Sequence, residues 1–471
     1  MIKSLLSLYP PLSLLREELK GSGKRVFLVG GALRDHYLKR RGHDLDFAVN
    51  DGAIALSRKL ARRIKASFVL LDREHGSARL VKKQDGEIWT FDFTDWRGKS
   101  IQEDLNLRDF TINALAVDIL SQDAEPLEVR MARRDLKTGV VRMTNPRVFE
   151  QDPLRLLRAF SLTASLGFKI ESRTLRRIKK DVPLISSVAV ERIREEIFRI
   201  LASSRAYETF CAMDDIGLLP QVIPQLTVMK GTHQGGFHHL DVWEHSLEAL
   251  KQMEKIVDEI VRQEHLEAYL HEPIGGAHER LALLKMAALL HDIGKPETRR
   301  VEGKRVTFHT HEHAGGRITR QVAKHLKLSV KERYFLEDAV RLHLRPGYLS
   351  NFKVPSPKAV FRYLRDTGEE AASVAILALA DQAATRGPLT TRAKTRHHAG
   401  ICHMIIGRYF ESKEKTRMPR LLTGHDLIKT LKLKPSVLFG KVLGSIEEAA
   451  ALGKIKTKAE ALALARKISK G

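Results

Sequence analysis

Asp44 and Asp46 stand two residues apart in His43-Asp44-Leu45-Asp46-Phe47-Ala48-Val49, a run that alternates with period two. On a strand, both carboxylates point to one side while Leu45 and Phe47 point into the core. Two like charges held on one face repel, and a bound cation best explains such an arrangement. Two Mg²⁺ ions about 3.5–4 Å apart can activate an attacking hydroxyl and stabilise the leaving oxygen in phosphoryl transfer. Asp92, in Trp89-Thr90-Phe91-Asp92-Phe93, sits on a later alternating run and is a candidate third carboxylate, although an exposed strand aspartate fits equally well. Upstream, Phe27-Leu28-Val29-Gly30-Gly31-Ala32-Leu33-Arg34-Asp35 reads as a strand, a tight turn and a helix start. Free N–H groups at that helix start suit phosphate oxygens. No Gly-Lys-Ser/Thr follows and the pattern is not GxGxxG, so neither a Walker A loop nor a dinucleotide fold is supported.

A second constellation lies further along. His-Asp dipeptides occur at 43–44, 291–292 and 425–426, where about one is expected by chance. His291-Asp292 stands apart because it ends the apolar run Leu283–Leu290 and precedes Ile293-Gly294-Lys295-Pro296. His245 lies before it and Asp381 after it. Imidazole and carboxylate groups drawn from separate helices suit a divalent transition metal or Mg²⁺, which can activate water for phosphoester hydrolysis. His425-Asp426 follows Thr423-Gly424 and reads as a helix start.

Asp152 and Arg155 form a third pair. A carboxylate accepts from the exocyclic amino group of cytosine or adenine, and a guanidinium donates to the neighbouring ring nitrogen. Guanine and uracil present the opposite polarity there and would be rejected. The competing reading is local: Asp152-Pro153 is a good helix opening, with Asp as N-cap and Arg155 paired to it.

These residues need elements to hold them. In 471 residues, 81 Lys+Arg stand against 57 Asp+Glu, for a formal charge of +24. With 43% hydrophobic and 29% charged residues, the chain is globular, which excludes wholesale disorder, collagen and a membrane bundle. The length suggests roughly three domains. The positive excess favours a polyanionic partner, nucleic acid first. Two cysteines, Cys211 and Cys402, make no disulfide framework, which suits a reducing cytoplasm. The longest apolar runs are short of the roughly 20 residues of a membrane span, so no membrane partner is expected. Strands are expected at Val26–Val29, Leu45–Val49, Ser67–Leu71, Ala78–Lys82 and Ile88–Phe93, the last two joined by a turn at Gln84–Glu87. From about 150 the pattern is almost wholly helical, with core helices at Leu281–Ile293 and Ser373–Ala384 and a basic helix from Ser172. Asp109 and Asn113 read as i and i+4 on one helical face.

Taken in order, Leu28-Val29-Gly30-Gly31-Ala32-Leu33-Arg34-Asp35, His43–Val49, Leu107–Ile119 and Gln151–Phe160 resemble the four motifs of the bacterial class II tRNA nucleotidyltransferase and poly(A) polymerase family. The resemblance implies an α+β fold: a polymerase-β-like head, then an elongated all-α body. It divides the chain into a head (1–125), a helical neck (126–210), a helical domain (211–410) and a basic tail (411–471). It implies Gly30 and Gly31 at the triphosphate, Asp44 and Asp46 as catalytic ligands of Mg²⁺ with Asp92 beside them, and Arg34, Arg108, Asp109, Asn113, Asp152, Arg155 and Arg158 around the nucleotide. RNA would run along Arg173, Arg176, Arg177, Lys179 and Lys180. The body resembles the HD phosphohydrolase domain, which implies His245, His291, Asp292 and Asp381 as ligands of a divalent metal, with His311 and His343 auxiliary. Two departures stand out: Leu107 where the family usually has a second arginine, and Gln151 where it usually has glutamate.

The expected activity is template-independent addition of C, A or both to a tRNA 3′ end from CTP and ATP, with pyrophosphate released. The alternatives are a poly(A) polymerase extending general RNA ends and, in another class, a metal-dependent phosphohydrolase with an RNA-binding head.

Overall fold

The computed structural model describes residues 2–122, 125–236, 238–276, 278–303, 305–414, 421–432 and 436–470. The chain forms two compact units, one of residues 1–205 and 212–222, the other of 206–211 and 223–471.

The first unit is built on a seven-stranded mixed sheet: β1 (Val26–Val29), β2 (Asp44–Val49), β3 (Ser67–Asp72), β4 (Ser77–Gln84), β5 (Glu87–Asp95), β6 (Leu115–Asp118) and β7 (Leu127–Glu128), in the order β3-β4-β5-β2-β1-β6-β7. Only β2 and β5 run parallel; every other pair is antiparallel. All five expected strands form. The turn after β4 places Asp85 and Gly86 at positive φ (53° and 86°), the backbone that a two-residue hairpin requires. Alternation on β2 works as the spacing demands: Leu45 and Phe47 are each 1% exposed. Phe47 stacks on Phe93 of β5 at 4.7 Å, while the two aspartates face the other way. Burying such a side chain stabilises the fold by about 1.5–3 kcal/mol, which locks the register of the acidic face. Helix α1 (Gly31–Tyr37) follows the Gly-Gly turn and α2 (Ala53–Ile64) covers the sheet. Beyond it come α3 (Arg155–Leu166), α4 (Ser172–Asp181) and α5 (Val190–Ala202).

Two local expectations need correction. The Asp109–Asn113 segment is no α-helix. Phe110 is extended (φ −127°, ψ 152°) and only Thr111–Asn113 makes a 3₁₀ turn, because the chain then enters β6, a strand the sequence reading missed. Nor does Asp152 cap α3, which begins at Arg155 after Leu154, with no side-chain cap. The basic helix α4 does start at Ser172 as expected, capped by Glu171, whose carboxylate accepts from the Thr174 N–H.

The second unit is dominated by helices, with two short hairpins at Pro273–Glu279 and Arg300–Thr307. Its centre packs α6 (Val242–Ile260), α7 (Arg280–Leu290), α8 (His311–His325), α9 (Val330–Leu342) and α10 (Ala371–Ala384). A capping box starts α6, in which Asp241 accepts from the Glu244 N–H and Glu244 accepts from that of Asp241. Every residue of α7 is buried, and so is α10 through Ala380, as expected of helices with no polar face. Near the C-terminus, Leu427, Val442, Ile446, Ala461 and Ala465 share a small core of their own. No helix among the described residues is long and apolar enough to cross a membrane.

Candidate active sites: an acidic cleft and a histidine–aspartate centre

Sheet register creates the first site. Val29 of β1 pairs with Asp46 of β2, Asp46 with Asp92 of β5, and Asp92 with Arg79 of β4. Three carboxylates therefore share one face: Asp44 at the exposed end of β2, Asp46 half-buried in the middle, and Asp92 on the adjoining strand. Arg79 holds Asp92 through two 2.7 Å hydrogen bonds, and the Thr90 hydroxyl donates to Asp44. Burial, then the neighbouring charges of Asp92 and Asp44, push the Asp46 carboxyl up to about 6 against the pull of Arg108 and Arg158. Charge crowded in this way is relieved by a cation, so the donor set fits the divalent metal that the motifs imply.

A cleft of about 760 Å³ gathers the remaining head residues around these carboxylates: Gly30, Gly31, Arg34, Arg108, Asp109, Asn113, Asp152, Arg155 and Arg158. Gly30 takes φ 73° and ψ −131°, a conformation suited to glycine, and a Cβ there would lie 3.4 Å from both Arg108 Nη1 and Asp46 Oδ2. Asn113 Nδ2 donates to Asp109 (3.2 Å) and its Oδ1 accepts from Arg34 (2.8 Å), so the Asp109–Asn113 contact exists without the helix that was expected to make it. Burial raises the Asp109 pKa, but Arg158 (2.9 Å) and the Phe110 N–H outweigh that and hold the carboxyl below its ordinary value.

Asp152 and Arg155 do not bond to each other through their side chains. Arg192 of α5 grips Asp152 at 2.9 and 3.2 Å, and Arg155 points inward to the carbonyls of Leu107 (3.1 Å) and Val148 (3.2 Å). The two departures from the family pattern thus meet at Arg155, because Gln151 Oε1 also accepts from it (3.4 Å). On α4, Arg173, Arg176, Lys179 and Lys180 are exposed, whereas Arg177 is tied to Asp181 and Glu150, as a structural ion pair would be. Sequence reasoning missed Arg79 and Arg192. Arg79 is visible only through strand register, and Arg192 only through tertiary proximity.

The second unit carries the other site. His291 and Asp292 follow α7, His245 lies in the first turn of α6, and Asp381 is on α10. His245 Nε2 is 3.0 Å from Asp381 and 3.3 Å from His291 Nε2. His311 begins α8 and His343 follows α9, so all six residues singled out for this centre come together. Gly294 permits this approach. A Cβ there would run into the His311 carbonyl and the Gly315 backbone. Lys295, which the sequence reading left unassigned, bridges Asp292 (2.5 Å) and Gln234 (2.6 Å). Burial would lower the His291 pKa, but Asp292 and Asp381 push it up to about 10; His343, with burial dominant, falls to about 4. Imidazole and carboxylate donors in a dry pocket fit a divalent cation, which would take the place of the proton held on His291.

A carboxylate-bearing strand beside a glycine turn and an arginine-lined cleft defines a nucleotidyltransferase. The profile described as "Poly A polymerase head domain" matches residues 26–142, that described as "Probable RNA and SrmB- binding site of polymerase A" matches 167–230, and the HD domain matches 242–385. The chain is 32% identical to the A-adding tRNA nucleotidyltransferase of Deinococcus radiodurans, over 93% of this chain and 94% of that protein. It is 31% identical to the CC-adding tRNA nucleotidyltransferase of Thermus thermophilus, over 93% of each. Its fold matches that of the Thermotoga maritima CCA-adding enzyme complexed with tRNA, with a TM-score of 0.62 at 19% identity over 99% of this chain and 97% of that one. The chain belongs to the tRNA nucleotidyltransferase family.

Proposed function

We propose that the acidic cleft adds C, A or both to the 3′ end of tRNA, the observation that carries this being the convergence of Asp44 and Asp46 with the Gly30-Gly31 turn and the Asp109–Arg158 pair in one cleft. The terminal 3′ oxygen forms a bond to the α-phosphorus of CTP or ATP, the α–β bridging bond breaks, and pyrophosphate leaves. Asp44 and Asp46 would hold Mg²⁺, which supplies charge neutralisation at the reacting oxygens. Gly30 and Gly31 let the triphosphate approach the backbone, and Arg34 and Arg108 meet its charge. Asp152 and Arg155 read the amino group and ring nitrogen of the base, which requires Asp152 to exchange Arg192 for the nucleotide. The exposed cations of α4 hold the RNA backbone. The test supplies tRNAs ending at the discriminator base, at -C and at -CC with single labelled nucleotides and reads product length. One to three added residues support this function, and long A-tails on unrelated RNA overturn it in favour of a poly(A) polymerase.

A second activity rests on the buried histidine–aspartate centre, which suits a divalent metal and hydrolysis of a phosphoester. Release of phosphate from nucleotide substrates, lost on His291→Ala while nucleotide addition persists, tests it.

A further inference from the structure

Residues 96–100 join β5 to the short helix Ile101–Asn106, and hydrogen bonds fix their path. The Trp96 N–H donates to the Val49 carbonyl (2.8 Å), the Arg97 N–H to Asp104 Oδ1 (3.1 Å) and the Lys99 N–H to Glu103 (2.8 Å), while the Ser100 hydroxyl caps the helix. Gly98 takes φ 83°, and a Cβ there would run into Glu103. This connection sets Arg97, which the sequence reading left unassigned, on the wall of the acidic cleft. Its anchor is Asp104, whose side chain is 4% exposed against 41% for Arg97. Asp104 Oδ1 accepts from Arg97 Nε (3.4 Å), and Oδ2 accepts from Arg108 Nε (3.0 Å). One buried carboxylate thus aims two guanidiniums and neutralises only one of them. The terminal nitrogens of Arg97 make no hydrogen bond among the described residues, whereas Arg34 and Arg158 are tied to Asn113 and Asp109. Burial lowers the Arg155 pKa against the pull of Asp109, and the charge of Arg97 lowers it further. An anionic ligand in the cleft would relieve that repulsion.

We propose that Arg97 is a further substrate-binding residue that contacts the terminal phosphates of the incoming nucleoside triphosphate, with Asp104 as its positioning group. The inference rests on the transferase reading of the cleft and goes beyond it by assigning a cation outside the motifs. Arg108, on the other oxygen of Asp104, has its Nη1 3.4 Å from where a Gly30 Cβ would lie, so one arginine of the pair already stands at the glycine turn. Leu107 forgoes the second arginine usual beside Arg108, and Arg97 returns that charge from another segment. A guanidinium with both Nη groups free can hold a phosphate through two parallel hydrogen bonds.

The test measures equilibrium binding of CTP, CMP, ATP and AMP to the full chain with Mg²⁺, which needs no tRNA and no turnover. Arg97→Ala is expected to weaken the triphosphates about tenfold and the monophosphates less than about twofold. In a chain carrying Asp104→Asn, the further change Arg97→Ala should cost less than about threefold, because the guanidinium has already lost the group that aims it. If Asp104→Asn unfolds the chain, as read by circular dichroism, Asp104→Glu reads the same coupling. A loss that stays near tenfold in that background overturns the role of Asp104. Equal weakening of triphosphates and monophosphates by Arg97→Ala, or no weakening of either, overturns Arg97 as a phosphate contact while leaving the transferase reading intact. Failure of the unaltered chain to bind CTP or ATP overturns both.

Discussion

The two sites of this chain solve the same electrostatic problem in opposite ways. In the head, Asp44, Asp46 and Asp92 lie on a sheet face at the floor of an open cleft, and the opposing charges, Arg79, Arg108 and Arg158, come from other elements. In the helical unit, His245, His291, Asp292 and His343 are each at most 2% exposed, and acid and base are intermixed within one contact shell. An open cleft admits a triphosphate and a polymer end together. A closed pocket holds its imidazoles and carboxylates dry and fixed by second contacts. Oxygen donors alone suit Mg²⁺, and imidazoles suit softer transition metals.

The largest effect should separate the sites outright. Asp46→Ala is expected to reduce nucleotide addition by about a thousandfold or more, roughly 4 kcal/mol of barrier. His291→Ala should leave addition within about twofold; a comparable loss there would break the division of labour.

Asp109→Asn comes next. It leaves Arg158, which Asp109 shares with Glu196, with only the more distant carboxylate and should cost about 1–3 kcal/mol of stability at pH 7, read by denaturant titration. The folded pKa of Asp109 is depressed, so its contribution is complete above the unfolded value near 4 and is lost as pH falls through the folded one. The gap between the two proteins should therefore narrow on acidification below about pH 4.

Gly30→Ala should cost about 1–2 kcal/mol through its positive φ and press on Arg108 and Asp46. It is expected to raise KM for the nucleotide more than it alters metal retention in the helical unit. The smallest effect belongs to Arg192→Ala. An exposed ion pair is worth less than about 1 kcal/mol, so stability should hardly change. Freeing Asp152 should lower KM for CTP or ATP several-fold, and an unchanged KM would remove Arg192 from the account of base reading.

Much of the head was legible because a strand has a strict period. The Asp44–Leu45–Asp46–Phe47 alternation dictates which side chains meet the ligand and which enter the core, whatever the rest of the chain does. Reading Asp109 and Asn113 as helical failed because i, i+4 spacing is only a local preference. Pairing of Leu115–Asp118 with β1 pulled the segment into a 3₁₀ turn instead. Asp152 failed as an N-cap for a related reason: the chain enters α3 three residues later, and the carboxylate goes to Arg192, forty residues away.

Residue types and spacing were enough to establish a basic, globular α+β chain with an acidic strand, a phosphate-suited glycine turn and a histidine–aspartate cluster. Those follow from periodicity and donor chemistry, which are local. Tertiary structure alone decided the partners: Arg79 on Asp92, Arg192 on Asp152, and Lys295 joined to Gln234. Each depends on sheet register or helix packing between residues distant in sequence, so it is set by how the core closes and not by any neighbouring residue.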